Sequence, residues 1–137
     1  MNAYERRNRE LRQLGFATYK DFLRSDLWKQ TRAKVLAGFS KCLLCGQPST
    51  QVHHMSYDTA TLLGIRLYRC IALCEPCHKN IEFDDGKKLT LCQANVKLSA
   101  LLKLTEKGRN WLRYSSKAAY KHQRNLKEHR RSIGTLR

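Results

Sequence analysis

Four of the six cysteines in this chain form two Cys-x-x-Cys pairs, Cys42/Cys45 and Cys74/Cys77. A Cys-x-x-Cys turn directs both thiolates at one ion, and two such turns complete the tetrahedral ligand set of structural zinc sites. Gly46, directly after Cys45, suits the tight curl of a knuckle around a metal. Disulfides need an oxidising compartment, and a redox pair normally stands singly in a βαβ pattern that this sequence lacks. The spacing therefore predicts a structural zinc site with four cysteine ligands.

The other two cysteines, Cys70 and Cys92, have apolar neighbours in the sequence. A free cysteine in such surroundings usually packs as a small hydrophobic side chain. We therefore expect both to be buried rather than to bind a metal.

A second group of potential ligands flanks the second cysteine pair: His53-His54 before it, and His78 with Glu82 after it. On a strand, His53 and His54 point to opposite sides, so they cannot easily do the same job. On a helix, His78 and Glu82 converge, and with His53 they offer a mixed nitrogen and oxygen site that suits a catalytic divalent metal. His54 is then free to act as a base near neutral pH. The alternative is that these histidines cap the zinc site or pack in the core.

A few short elements must position these residues. Residues 50–54 and 67–73 are partly β-branched, which predicts two strands separated by a loop over 55–66. Pro76 suits the first turn of a helix that runs to about Phe83 and is broken by Asp84-Asp85-Gly86. Apolar spacing and end signals predict further helices over 4–14, 18–23, 25–38 (with Ser25 as the N-cap), 91–104 and 105–132.

The chain has 137 residues and a formal charge of +16, from 27 Lys and Arg against 11 Asp and Glu. Residues 1–34 carry a net charge of +5, residues 35–102 only +2, and residues 103–137 carry +9. So large a charge favours a polyanionic partner such as DNA, RNA or an anionic membrane surface, the alternative being an ordinary solvated surface. No apolar run approaches the roughly 18 residues of a membrane span, and the start has no apolar stretch of the signal-peptide kind. We therefore expect a cytoplasmic protein that does not enter a membrane.

The last predicted helix separates its charges by face. At about 100° per residue, seven cations fall within an arc of about 120°, while Trp111, Leu112 and Leu126 lie on the other side. Few acids share that arc, which favours binding to backbone phosphates over a merely solvated face. The cationic stripe consists of Arg109, Arg113, Lys117, Lys121, Arg124, Lys127 and Arg131.

Together these motifs resemble the zinc-bearing branch of the HNH endonucleases, also called ββα-metal or His-Me finger nucleases. The resemblance depends on Cys42-x-x-Cys45-Gly46, Val52-His53-His54-x-x-Tyr57, Leu73-Cys74-x-x-Cys77-His78-x-x-Ile81 and the lead-in Tyr19-x-x-Phe22-Leu23-x-Ser25-x-x-Trp28-x-x-x-Arg32. It covers about residues 19–84, roughly half of the chain. It implies an α+β fold whose small ββα-metal core, over 39–86, is stapled by the four-cysteine zinc site. A basic helical arm over 1–38 and a basic helical region over 87–137 would flank that core within one compact domain.

The resemblance also implies a role for each site residue. His54 would be the general base that activates water, and His53, His78 and Glu82 would hold one catalytic metal ion. The glutamate favours a harder ion, Mg²⁺ or Mn²⁺. The metal would neutralise the scissile phosphate and stabilise the leaving 3′ oxygen. The expected activity is hydrolysis of DNA phosphodiester bonds, most simply in duplex DNA, with RNA as another possible substrate and with protein partners and oligomeric state left open.

One position departs from the family pattern. The family's middle Asn or Asp, which braces the hairpin and holds the base, falls near Arg69. An arginine accepts no hydrogen bond, so it cannot orient His54 by accepting from the ring N–H. Arg69 can instead hold a phosphate oxygen or stabilise charge in the transition state, and Arg66 can contribute similarly. The departure leaves an alternative function: a catalytically inactive, zinc-stabilised module that binds nucleic acid.

Overall fold

In a computed structural model, which describes residues 1–135, helices surround two small antiparallel sheets, so the predicted α+β class is confirmed. Three helices come first: α1 (Ala3–Gln13), α2 (Tyr19–Arg24) and α3 (Asp26–Gly38). The middle of the chain forms β1 (Gln51–His54), α4 (Thr59–Leu62), a 3₁₀ turn (Leu67–Arg69), β2 (Cys70–Leu73) and α5 (Glu75–Glu82). The last part forms β3 (Phe83–Asp84), β4 (Lys87–Lys88), α6 (Leu91–Leu102) and α7 (Glu106–Thr135).

Polar side chains at the helix N-termini fix where several helices begin. The predicted N-cap Ser25 accepts a hydrogen bond from the Trp28 N–H at 3.2 Å, and Thr18 caps α2 in the same way. At the start of α6, Thr90 and Gln93 form a capping box, each side chain accepting from the other's backbone N–H. Each bond satisfies an N–H group that a helix end would otherwise leave unpaired.

Strands β1 and β2 pair antiparallel, with His53 opposite Ile71 and His54 opposite Cys70. Because successive residues alternate in direction, the hairpin contributes to a different hydrophobic cluster on each face. Val52, Cys70 and Ala72 join Leu11, Phe22, Trp28, Val35 and Leu62, which come mostly from α1–α3. Ile71 and Leu73 join Cys42, Leu43, Cys74, Ile81, Leu98, Leu102 and Trp111, which come from the cysteine segment and α5–α7. The hairpin is thus sandwiched between the two helical regions.

Helix α7 packs closely on α6 at its start and leaves the body of the molecule further on. A Cβ atom at the buried Gly108 would collide with the backbone of Leu102, so the absence of a side chain permits the crossing. Trp111 is only 2% exposed, and Ser115 Oγ donates to the Tyr68 carbonyl at 3.1 Å. From residue 123 to residue 133, every side chain of α7 is exposed. None of the helices among the described residues is long and apolar enough to cross a membrane.

Several local predictions need correction. Asp84-Asp85-Gly86 does end α5, but as the turn of a β3–β4 hairpin, with φ of 48° at Asp85 and 76° at Gly86. Residues 67–69 form a 3₁₀ turn rather than strand, and the expected loop over 55–66 contains α4. Cys70 is buried, as expected, whereas Cys92 is exposed, so that expectation was wrong. In α6 the buried residues are Ala94, Leu98 and Leu102, and Cys92 lies about 200° away from Ala94 around the helix.

Candidate metal centres

The two cysteine pairs meet beside the end of β2 and form what we call the four-cysteine cluster. One ligand atom each from Cys42, Cys45, Cys74 and Cys77 lies within 4.8 Å of the others, and the Sγ atoms of Cys45 and Cys74 are 3.5 Å apart. Four thiolates are the characteristic donor set of a structural zinc site. The four-cysteine cluster is therefore a plausible metal site, consistent with structural zinc.

The first cysteine pair is held by a tight turn. The Cys42 N–H donates to the Gln47 carbonyl at 2.6 Å, and the Gly46 N–H donates to the Cys42 carbonyl at 2.9 Å. Gly46 has a φ of 81°, a left-handed conformation that glycine adopts without a steric penalty. The glycine that the sequence suggested as part of a knuckle is thus required by the turn.

The thiols of the four-cysteine cluster differ in acidity. Burial opposes ionisation of Cys42, but backbone hydrogen bonds from Cys74, Leu44 and Cys45 outweigh it and lower the pKa of this thiol to about 7. Burial, followed by the neighbouring thiols, raises the pKa of Cys77 above its ordinary value. Several thiols this close cannot all ionise without a cation between them, so metal binding at the cluster would release protons.

A second cluster lies where β1 faces α5. One ligand atom each from His53, His78 and Glu82 lies within 4.8 Å of the others. His78 Nε2 is 3.0 Å from Glu82 Oε1, and the ring centroids of His53 and His78 are 5.5 Å apart. His53 is 3% exposed, whereas the side chains of His78 and Glu82 are 20% and 30% exposed. The three residues that the sequence grouped as ligands are thus brought together, at a point that solvent can reach.

The charge states of this second cluster suit metal binding. Burial lowers the pKa of His53, although the hydrogen bond with Asn95 opposes the shift. The hydrogen bond from His78 holds the pKa of Glu82 below its ordinary value. A neutral imidazole and an ionised carboxylate are the forms in which these side chains coordinate a cation.

Asn95 is a site residue that the sequence did not reveal. It lies on α6, and its Oδ1 is 3.0 Å from His53 Nε2 while its Nδ2 donates to the Met55 carbonyl at 2.8 Å. No spacing rule connects an asparagine on one helix with a strand residue 42 positions earlier. Asn95 therefore connects α6 to the end of β1, far along the chain from Arg69.

His54 lies on the opposite side of β1, as the strand pattern predicted. It is 3% exposed, and its ring centroid is 4.7 Å from that of Trp28 and 5.6 Å from that of Tyr57. Its Nε2 atom is buried without a hydrogen-bond partner among the described residues. Burial, followed by repulsion from His53 and Arg7, lowers the pKa of His54 to about 4. The ring is therefore neutral at pH 7 and enclosed by aromatic side chains.

Arg69 lies next to the end of β1. Its carbonyl accepts a hydrogen bond from the Met55 N–H at 2.8 Å, and its buried Nε has no hydrogen-bond partner among residues 1–135. Together with Arg6 and Ser56 it lines a cavity of 160 Å³. The lining includes two arginines and one carboxylate, Asp58, so its net charge favours an anionic group such as a phosphate.

Arg66 is occupied by structural partners instead. Its Nη1 is 2.6 Å from Asp58 Oδ2, and its Nε donates to the Tyr68 hydroxyl at 2.8 Å. Asp58 also accepts hydrogen bonds from Ser56 and Thr61. This network orders the segment between β1 and β2, and it leaves Arg66 less free to contact a nucleic acid than the sequence suggested.

All seven cations of the cationic stripe are exposed. Three of them have local partners: Arg109 donates to the Lys103 carbonyl, Arg113 donates to Asn110, and Arg124 pairs with Glu128 at 3.3 Å. Glu128 partly neutralises the stripe, while the start of the helix remains anchored in the hydrophobic cluster. The stripe is thus a solvent-exposed cationic surface on a helix whose N-terminal part is packed against the rest of the protein.

Comparison with known proteins found no similar protein. The chain matches no protein-family model, and neither curated proteins nor solved structures give a match. The functional conclusion therefore depends on the chemistry and geometry of the site.

Proposed function

We propose that the chain is a metal-dependent endonuclease of the HNH (ββα-metal) type that hydrolyses phosphodiester bonds in DNA. The observation that carries the proposal is the convergence of His53, His78 and Glu82, one from a hairpin strand and two from the helix that follows it. Two imidazoles and a carboxylate form a donor set that leaves coordination positions for water and substrate. The partly exposed side of the cluster gives a phosphodiester access to those positions.

The proposed mechanism assigns a separate task to each group. His53, His78 and Glu82 would hold a Mg²⁺ or Mn²⁺ ion, which would supply charge neutralisation at the scissile phosphate and the leaving 3′ oxygen. Arg69 would bind a phosphate oxygen beside the end of β1. The four-cysteine cluster, with a structural zinc, fixes the start of α5 against the hairpin.

His54 is the proposed general base. Its lowered pKa keeps the ring neutral but makes it a weaker base in this closed state than the sequence suggested, and its unpartnered Nε2 can hold the free lone pair that accepts a proton from water. A buried polar atom without a partner costs about 1–3 kcal/mol, which favours a functional reason for its presence. Because Trp28 and Tyr57 enclose the ring, water reaches His54 only when this aromatic enclosure opens.

Cleavage by His54 variants tests the proposal. The purified protein should nick supercoiled plasmid DNA in the presence of Mg²⁺ or Mn²⁺. Replacing His54 with alanine, or with phenylalanine to retain the aromatic packing, should slow nicking about 10²- to 10⁴-fold, the usual contribution of a general base. Zinc content should remain at the wild-type value in the phenylalanine variant, and its melting temperature should be no lower than that of the wild type, because the unpartnered buried nitrogen is removed.

The exposed histidine of α7 supplies the matched control, because His129→Ala removes an imidazole far from the aromatic enclosure. Nicking by His54→Phe at the wild-type rate would remove His54 from the mechanism. A wild-type protein that cleaves with no divalent metal ion at all would instead contradict the role of the second cluster.

The enclosure of His54 favours one alternative, a zinc-stabilised module that binds nucleic acid without cutting it. Such a module needs the four-cysteine cluster and the cationic stripe but no accessible base. It predicts tight binding of duplex DNA or RNA without nicking under any divalent metal ion.

The cationic stripe makes binding sensitive to salt under either function. Each phosphate contact on duplex DNA contributes a slope of about −0.9 to the dependence of log K on log[salt]. Replacing both Lys117 and Lys121 with glutamine should therefore reduce the slope by about 2. Titration of a labelled duplex at several salt concentrations measures it, with Lys20→Gln on α2 as the control. A slope unchanged by the double substitution would exclude these two lysines as phosphate contacts.

A further inference from the structure

We propose that Asn95 is the positioning residue that fixes which ring nitrogen of His53 faces a metal ion. Asn95 belongs to α6, which lies outside the hairpin and the helix that carry the ligands. Its effect on cleavage depends on the proposed function, whereas its effect on the His53 ring does not. The two can therefore be tested separately.

The direction of the Asn95 amide follows from its partners. The Met55 carbonyl can only accept a hydrogen bond, so the atom 2.8 Å from it must be the amide nitrogen Nδ2. The oxygen Oδ1 then faces His53 Nε2 at 3.0 Å, and because Oδ1 can only accept, Nε2 must carry the hydrogen. In a neutral imidazole, the other nitrogen, Nδ1, then holds the lone pair. Asn95 thereby selects the tautomer in which Nδ1 is the metal-binding atom.

The burial of His53 makes this selection effective. The residue is only 3% exposed, so water has little access to replace the Asn95 hydrogen bond. Removing the Asn95 amide would leave two groups, the ring N–H and the Met55 carbonyl, in need of new partners. Histidine ligands of metal ions commonly donate their second ring N–H to an oxygen in this way, and loss of that oxygen typically costs 10- to 100-fold in affinity.

Asn95 also sets where the ring lies. It connects α6 to Met55, the residue immediately after β1, and to the ring of His53 itself. The ring of His78 approaches His53 from α5, with the centroids 5.5 Å apart. The His53 ring is thus held between α5 and α6, and the loss of Asn95 would release one of its two restraints.

Nitrogen NMR of the His53 ring tests the proposal directly. The spectra are recorded on zinc-loaded protein without other metals, at a pH about two units above the ordinary histidine pKa of about 6.5. Under these conditions the His53 ring of the wild type should show the Nε2–H tautomer. Asn95→Ala should shift the ring toward a mixture of both tautomers. Asn95→Asp should restore the Nε2–H tautomer, because a carboxylate still accepts from the ring, although it cannot donate to Met55. A merely structural role for Asn95 would not produce that rescue.

Val96→Ala is the matched control, since Val96 is the next residue of α6 and is 66% exposed. It should leave the His53 resonances unchanged. A wild-type ring in the Nδ1–H form, or an Asn95→Ala ring that keeps the wild-type tautomer, would overturn the proposal. If Asn95→Ala does not fold, Asn95→Leu, which removes the amide but keeps the size of the side chain, takes its place in the comparison.

Titration with Mn²⁺ tests the consequence for metal binding. Asn95→Ala should bind Mn²⁺ about 10- to 100-fold more weakly than the wild type, while Val96→Ala should bind it normally. Unchanged Mn²⁺ affinity in Asn95→Ala would contradict the positioning role. A wild type that binds no Mn²⁺ would contradict the proposed function instead, and the NMR result would then decide the tautomer alone.

Discussion

Replacing Cys42 with serine is expected to lower the free energy of unfolding by more than about 4 kcal/mol, a large loss for a single substitution and one that the removal of a metal ligand can cause. A serine hydroxyl does not replace a thiolate as a zinc ligand. Cys42 is also fully buried beside Ile71 and Leu73, so the substitution would place an unpaired hydroxyl in the hydrophobic cluster. The four-cysteine cluster connects the first cysteine turn to the start of α5. Loss of the ion should therefore loosen the hydrophobic cluster that Ile71 and Leu73 form on that face of the hairpin.

Metal analysis and denaturant unfolding measure this effect. The wild type should contain zinc bound at the four-cysteine cluster and should unfold at a lower denaturant concentration after treatment with a strong chelator. Cys92→Ser is the matched control, because Cys92 is exposed and lies outside that cluster. Unfolding of Cys42→Ser at the wild-type midpoint, or a wild type that is indifferent to chelation, would show that the cluster does not stabilise the fold through a metal.

Replacing His78 with alanine is expected to reduce plasmid nicking by about 10³-fold or more, which corresponds to about 4 kcal/mol of transition-state stabilisation. His78 is one of two α5 residues in the second cluster, and it directly follows Cys77 of the four-cysteine cluster. Its side chain is mostly but not fully buried and pairs with Glu82, so its removal should cost some stability, but less than the 10³-fold loss of activity represents. Glu82→Gln should have a similar effect on nicking, since it keeps the size of the side chain and removes the charge that attracts the ion.

Two other polar residues allow matched controls for this experiment. Glu75→Gln removes a carboxylate from the same helix, where it pairs with Lys79 at 3.0 Å. His129→Ala removes an exposed imidazole from α7. Both variants should nick plasmid and bind Mn²⁺ as the wild type does. Wild-type nicking by His78→Ala, or its wild-type affinity for Mn²⁺, would exclude this residue as a ligand of the catalytic ion.

Local sequence patterns predicted most of the fold because they report on short-range physics. Ser25 was identifiable as an N-cap since a serine before an apolar helical run satisfies an exposed backbone N–H. The β3–β4 hairpin was missed although Asp85-Gly86 is a typical two-residue turn. Its strands have two residues each, which is too short for an alternating pattern to be visible.

The candidate site likewise contains some features that local sequence patterns predict and others that depend on tertiary packing. The convergence of His53, His78 and Glu82 could be predicted because a strand period of two and a helix spacing of four place their side chains once the elements are assigned. The aromatic enclosure of His54 could not, because Trp28 reaches it from α3 across a tertiary interface. The brace from Asn95 depends equally on how α6 packs, which no short-range pattern encodes.

Helix α5 has eight residues and contributes to both candidate metal sites, with Cys77 of the first directly preceding His78 of the second. An ion in either cluster restricts the same short segment, so occupation of one lowers the entropic cost of organising the other, and this linkage is reciprocal. Under the proposed function, a chain without zinc would hold the catalytic ion less tightly, and cleave DNA more slowly, than the zinc-loaded chain. The availability of zinc would then regulate cleavage, although zinc is not the ion at the proposed cleavage site.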